Sequence, residues 1–166
     1  MTLVLVGPMG AGKTSVGRRV ARALEVPFID TDRRIVAAHG PIPALFSSRG
    51  EAVFRRIERE IVAEVLAEGG VISLGGGAVT QAETRALLQD VPVALLSVSA
   101  EAVADRIRAG GRPLLAGDDD PVIRWQRIFD ERRAWYDEVA DVEFDTSRRP
   151  MARIAEEITM WRKEQA

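Results

Sequence analysis

An α/β fold, with a parallel sheet covered by helices on both faces, is predicted by three observations. Short apolar runs alternate with segments of helical character along the whole chain, which is the pattern of a parallel sheet joined by crossover helices. Val91 to Val98 is almost wholly apolar, as a strand buried on both faces should be. The first apolar run, Met1 to Val6, leads into Gly7-Pro8-Met9-Gly10-Ala11-Gly12-Lys13-Thr14 and then into a helical stretch, so strand, glycine-rich loop and helix follow in that order.

The elements follow in order, with boundaries good to a few residues. An apolar strand at 2–6 ends in glycine, a helix occupies 13–24, and a second strand at 27–30 closes on Asp30-Thr31-Asp32. Helical segments are predicted at 33–47 and 50–68, the second marked by the stripe Val53, Phe54, Ile57, Ile61, Val65 and Leu66. Val71-Ile72-Ser73-Leu74 reads as a strand ending in Gly75-Gly76-Gly77, with a helix at 80–89 after it. The strand at 91–98 is followed by a helix at 100–109, a loop, a helix at 121–139, a strand at 141–144 and a helix at 150–163. Sheets of this kind bind ligands at the carboxyl ends of their strands, so function should collect after residues 6, 30, 74, 98 and 144.

A length of 166 residues suits one domain, and 46% hydrophobic with 29% charged residues suits a chain that buries a sizeable core. No apolar run approaches the roughly 20 residues of a membrane span, and residues 1–6 lack a basic segment and a cleavage site, so the expected location is the cytoplasm. No cysteine and the single His39 exclude disulfides and a multi-histidine zinc centre within the chain; any metal would be held by oxygen. A net charge of −2 speaks against general nucleic-acid binding.

The opening loop carries the strongest chemistry. Its glycines let successive N–H groups face one anion, the following helix adds its unpaired N–H groups, Lys13 reaches the outer phosphates, and the Thr14 hydroxyl can join Mg²⁺. Lys13 and Lys163 are the only lysines among 23 basic residues. Two carboxylates, Asp30 and Asp32, stand beside a phosphate site: one could hold the metal, and the other could orient an acceptor hydroxyl or cap the next helix. Arg55, Arg56 and Glu58 surround the apolar stripe of their helix, and spacing alone does not raise Arg55 above its neighbours. Three glycines at 75–77 suit a ligand brought against bare backbone, while glycines flanking Arg112 suit either a lid over phosphates or a surface loop. Asp145-Thr146-Ser147-Arg148-Arg149-Pro150 reads as a turn or a base-binding loop.

In this order, Gly-x-x-Gly-x-Gly-Lys-Thr, Asp-Thr-Asp, Gly-Glu-x-x-Phe-Arg-Arg-Ile-Glu, Leu-Gly-Gly-Gly, Arg-Pro-Leu-Leu, Arg-x-x-x-Tyr and the late Asp-Thr loop resemble the shikimate kinases, over about residues 3 to 150. The resemblance implies a nucleoside-monophosphate-kinase-like, three-layer αβα P-loop fold with five parallel strands in the order 2-3-1-4-5 and a lid at about 109–121. It implies transfer of the ATP γ-phosphate to the 3-hydroxyl of shikimate, a step toward chorismate and the aromatic amino acids. The implied ATP site comprises Gly10, Ala11, Gly12, Lys13, Thr14, Ser15, Arg108, Arg112, Arg149 and Pro150, with Arg106 as the alternative to Arg108 at the adenine. Thr14 and Asp30 would hold Mg²⁺; Lys13, Asp32 and Arg112 would be catalytic. Asp32, Phe54, Arg55, Gly75, Gly76, Gly77 and Arg133 would bind the acceptor, within a region centred on residues 32–60, in a chain expected to be monomeric. Gluconate kinases and nucleotide kinases share the fold and are the alternatives within it. A P-loop protein acting as a non-catalytic switch is the alternative outside it.

Overall fold

The computed structural model describes residues 1–109 and 120–166, with only the backbone described at 108 and 109. Five strands, β1 (Thr2–Val6), β2 (Phe28–Asp30), β3 (Gly70–Ser73), β4 (Val93–Ser97) and β5 (Val142–Asp145), form one parallel sheet in the order β2-β3-β1-β4-β5. The expected strand order is the observed one. Seven α-helices among the described residues surround it: α1 (Lys13–Leu24), α2 (Thr31–His39), α3 (Ile42–Glu68), α4 (Ala82–Leu87), α5 (Ala100–Ala109), α6 (Pro121–Val139) and α7 (Met151–Glu164).

Successive strand residues face opposite sides, and the core divides accordingly. Val4 and Val6 join Ile57, Ile61, Val65 and Tyr136 on the side of α3. Leu3 and Leu5 join Val16, Val20, Trp125 and Ile158 on the side of α1 and α7. Both faces of β1 are sealed, which explains its uninterrupted apolar run. Registers such as Leu5 opposite Ser73 and Leu96 opposite Phe144 bring the carboxyl ends of all five strands to one edge.

Two boundaries differ from the sequence reading. The segment expected at 33–47 is two helices: α2 stops at Gly40 (φ 84°), and Pro41, which has no N–H to donate, precedes the first residue of α3. At Gly50 (φ 82°, ψ 166°) the backbone of α3 is non-helical and the helix kinks, close to where the sequence reading separated its two helical segments. The helix expected at 80–89 shrinks to a turn of 3₁₀ helix (Ala78–Thr80) followed by α4. Among the described residues, no helix is long and apolar enough to cross a membrane. Arg112 and residues 110–119 of the expected lid lie outside the described residues.

Candidate active site

Two cavities meet at the carboxyl edge of the sheet. The first, about 560 Å³, is lined by Gly10, Gly12, Lys13, Thr14, Ser15 and Asp30. Gly12 precedes α1 in a left-handed conformation (φ 94°), and no side chain caps this helix start, so its first N–H groups and dipole end are left to an anion. Lys13 Nζ donates to the carbonyls of Gly7 (2.7 Å) and Pro8 (3.0 Å), which folds the lysine along its own loop. Ala11 is fully buried; its carbonyl accepts the Thr146 hydroxyl at 2.8 Å, tying the loop after β5 to the glycine loop.

Asp30 does two things at once. Its Oδ2 accepts the Thr14 hydroxyl at 3.0 Å, and its Oδ1 accepts the Arg33 N–H at 3.2 Å, capping α2. The capping considered for Asp32 therefore belongs to Asp30. Thr14 and Asp30 are oxygen donors of the kind Mg²⁺ takes, and the described residues contain no group of three or more His, Cys, Asp or Glu that could hold a metal. A site of two protein oxygens fits an ion that keeps its waters and is otherwise held by nucleotide phosphates.

Arg106 lines this cavity and donates to the Gly10 carbonyl at 2.7 Å, whereas the side chain of Arg108 lies outside the described residues. Arg149 is ion-paired with Glu157 on α7, and Pro150 sets the start of that helix; the neighbouring Met151, not singled out from the sequence, is the residue that reaches the cavity.

The second cavity, about 360 Å³, brings Asp32, Phe54, Arg55, Gly75, Gly76 and Gly77 together, as expected, and adds Glu58 and Arg132. An apolar wall of Val36, Ile42 and Phe46 completes it. Arg55 is 5% exposed and donates to Glu58 Oε1 at 2.7 Å, while its Nε is buried with no hydrogen-bond partner. An orphaned buried donor of this kind costs about 1–3 kcal/mol. Glu58 is 1% exposed, and burial pushes its carboxyl up to about 7 despite the opposing pull of Arg55. Asp32 nearby acts in the same direction as burial, and Arg132 against it.

The glycines at 75 and 77 are there for close approach. A Cβ on Gly75 would lie 2.6 Å from Asp32 Oδ1 and 2.9 Å from Glu58 Oε2, and one on Gly77 would collide with the Arg55 guanidinium. All three charged groups rest directly on this backbone. Gly76 accepts the buried Tyr136 hydroxyl at 2.6 Å, and the Gly75 N–H donates to Thr31 Oγ1 at 3.1 Å.

Arg133 requires correction. It is not among the residues lining the cavity; its guanidinium turns to Glu143 (2.6 Å) and Asp137 (3.0 Å) at the surface, and both carboxylates hold it in its charged form. The arginine that lines the cavity is Arg132, 9% exposed, four residues before Tyr136 and therefore on the same helix face. The Arg-x-x-x-Tyr spacing in the sequence already pointed to 132; one position along a helix turns a side chain by about 100°. Glu58 was passed over because it resembles a partner in a solvated ion pair.

Asp32, Met9, Gly75 and Gly76 line both cavities, so a phosphate-binding loop opens directly onto a pocket of buried arginines and carboxylates. A fold and site of this kind define a P-loop kinase acting on a small acceptor. The family model for shikimate kinase matches residues 9–162. The chain is 48% identical to a shikimate kinase of Saccharopolyspora erythraea over 86% of this chain and 83% of that one, and 43% identical to one of Rhodococcus erythropolis over 91% and 90%. Its fold superposes on the shikimate kinase of Acinetobacter baumannii solved in complex with shikimate, with a TM-score of 0.92 at 34% identity, over 99% of this chain and 93% of that one. The chain belongs to the shikimate kinase family.

Proposed function

We propose that this chain transfers the γ-phosphoryl group of ATP to the 3-hydroxyl of shikimate, giving shikimate 3-phosphate and ADP on the route to chorismate and the aromatic amino acids. The observation that carries the reading is the placement of Asp32 in the lining of both cavities, where a hydroxyl in one would face a phosphate in the other. Arg55 and Arg132 grip the carboxylate of the acceptor as planar, paired donors, and the bare backbone of Gly76 and Gly77 lets the ring come close. Phe54 and the apolar wall cover the ring. Asp32 orients the hydroxyl and takes its proton as the new O–P bond forms and the bond to the β-phosphate oxygen breaks.

On the donor side, the N–H groups around Gly10, Ala11 and Gly12 and the Lys13 ammonium take the phosphate charge, and Ser15 borders the same cavity. Mg²⁺, brought with ATP to Thr14 and Asp30, would neutralise charge on the β- and γ-oxygens. Arg112, on a lid at about 109–121, is read as the arginine that covers the transferred group, with Arg106 or Arg108, Arg149 and Pro150 around the base. One catalytic domain, its acceptor part centred on residues 32–60, acting as a cytoplasmic monomer on small molecules, completes the reading.

The test is ADP release from Mg-ATP with shikimate, with gluconate, with nucleoside monophosphates and with no acceptor. Release with shikimate alone is the expected result. Release with another acceptor would reassign Asp32, Arg55 and Arg132, and release with none would favour a switch protein.

A further inference from the structure

One face of α6 carries Trp125, Phe129, Arg132 and Tyr136, at steps of four, three and four residues, which is a single line along three turns. Their rings form a chain: Trp125 and Phe129 lie 5.4 Å apart and Phe129 and Tyr136 6.0 Å, all tilted. Trp125 and Tyr136 are each 1% exposed. Buried indole N–H and phenol O–H groups need partners, and both find a backbone carbonyl of the active site. Trp125 Nε1 donates to Met9 O at 2.7 Å, in the phosphate loop, and Tyr136 Oη donates to Gly76 O at 2.6 Å, on the acceptor side.

Met9 and Gly76 both line both cavities, and they are neighbours across the cleft, since a Cβ on Gly76 would sit 3.7 Å from the Met9 nitrogen and 3.5 Å from the Gly7 carbonyl oxygen. Between the two holds, on the same helix face, stands Arg132, which lines the acceptor-side cavity. We propose that Trp125 and Tyr136 are a pair of positioning residues: from one rigid helix they pin the phosphate loop and the Gly76 backbone, and so fix the separation between donor phosphate and acceptor hydroxyl. Neither touches substrate, and each acts through a carbonyl. The proposal rests on the shikimate kinase reading and adds a requirement to it, because a near-attack geometry is lost when the loops drift by a fraction of an ångström to an ångström.

The experiment compares wild type with Trp125→Phe, Tyr136→Phe and the double variant, with Trp161→Phe, on α7, as the control for a tryptophan change remote from both loops. Each is checked by thermal melting, and kcat and both KM values are taken well below the melting temperature. Tyr136→Phe should lower kcat about tenfold or more and raise the KM for shikimate while the KM for ATP holds. Trp125→Phe should lower kcat with little change in the KM for shikimate. The double variant should fall short of the product of the two losses, because both act on one separation. Lowered melting temperatures with wild-type kcat and KM values would mean that both side chains only pack, and would overturn the pairing while leaving the family activity intact. A wild-type chain that releases no ADP with shikimate would instead sink the functional reading and the proposal that rests on it.

Discussion

The two halves of the cleft are built on different principles. The donor half is built around one continuous piece of backbone, residues 7 to 15, that offers N–H groups, a helix start and one ammonium to a phosphate, with Asp30, Arg106 and Met151 joining it from elsewhere in the chain. The acceptor half is assembled from α2, α3, the loop after β3 and α6, and it offers charged side chains that are themselves buried: Arg55 at 5%, Glu58 at 1% and Arg132 at 9% exposure. Backbone recognition suits a ligand group common to every nucleoside triphosphate, whereas selection of one acid needs side chains held in one geometry. Buried charges supply that geometry only when every partner is present, so the acceptor half should be the less tolerant of conservative change.

The sharpest test of this contrast lies at the junction. Asp32→Asn keeps the shape but removes the proton acceptor, and kcat should fall by roughly 10²- to 10⁴-fold while ATP still binds; near-normal turnover would take Asp32 out of the mechanism. Gly77→Ala is next in size. The added methyl displaces the Arg55 guanidinium, so the KM for shikimate should rise by about tenfold or more, the order expected when a buried charged contact is lost, with the KM for ATP changed far less. Equal effects on both substrates would erase the distinction between the halves.

Smaller in size is a pH effect confined to the acceptor half. Burial raises the Glu58 carboxyl from the ordinary 4.5 to about 7, so the folded chain binds more protons here than the unfolded chain in that window. Glu58 therefore contributes stability that is full below about pH 4.5 and is lost as the pH rises through about 7. The difference in melting temperature between wild type and Glu58→Gln should change with pH across that interval. A difference that stays constant from pH 5 to pH 8 would place Glu58 as a permanently charged partner of Arg55.

The same division explains what could be read from the sequence. The glycine loop of the donor half was legible because its residues are contiguous and each glycine sits where backbone must face an anion, whereas Met151, far along the chain, was not. The sheet was legible because strands sealed on both faces, such as Val93 to Ser97, show little else but apolar side chains. The acceptor half was legible in its glycines, Asp32 and Arg55, the last only through family resemblance. Choosing between Arg132 and Arg133 requires knowing which face of α6 meets the sheet, and the buried Tyr136 four residues on is the local sign of it. Glu58 gave no sign, since a carboxylate three residues from an arginine on a helix is most often a surface pair. The break at Gly40-Pro41 was written in the chain and was masked by helical character on both sides of it.

The most direct measurement is the pair of KM values, for shikimate and for ATP, in Arg132→Ala and Arg133→Ala measured side by side. Arg132 has a guanidinium buried in the acceptor cavity, and its loss should raise the KM for shikimate by about a hundredfold, the scale of a charge-assisted hydrogen bond of some 2–3 kcal/mol, with the KM for ATP unchanged. Arg133, tied to Glu143 and Asp137 at the surface, should stay within about twofold of wild type, as exposed ion pairs do. The reverse ranking, or a defect confined to ATP in Arg132→Ala, would contradict the assignment of the buried arginines to the acid acceptor.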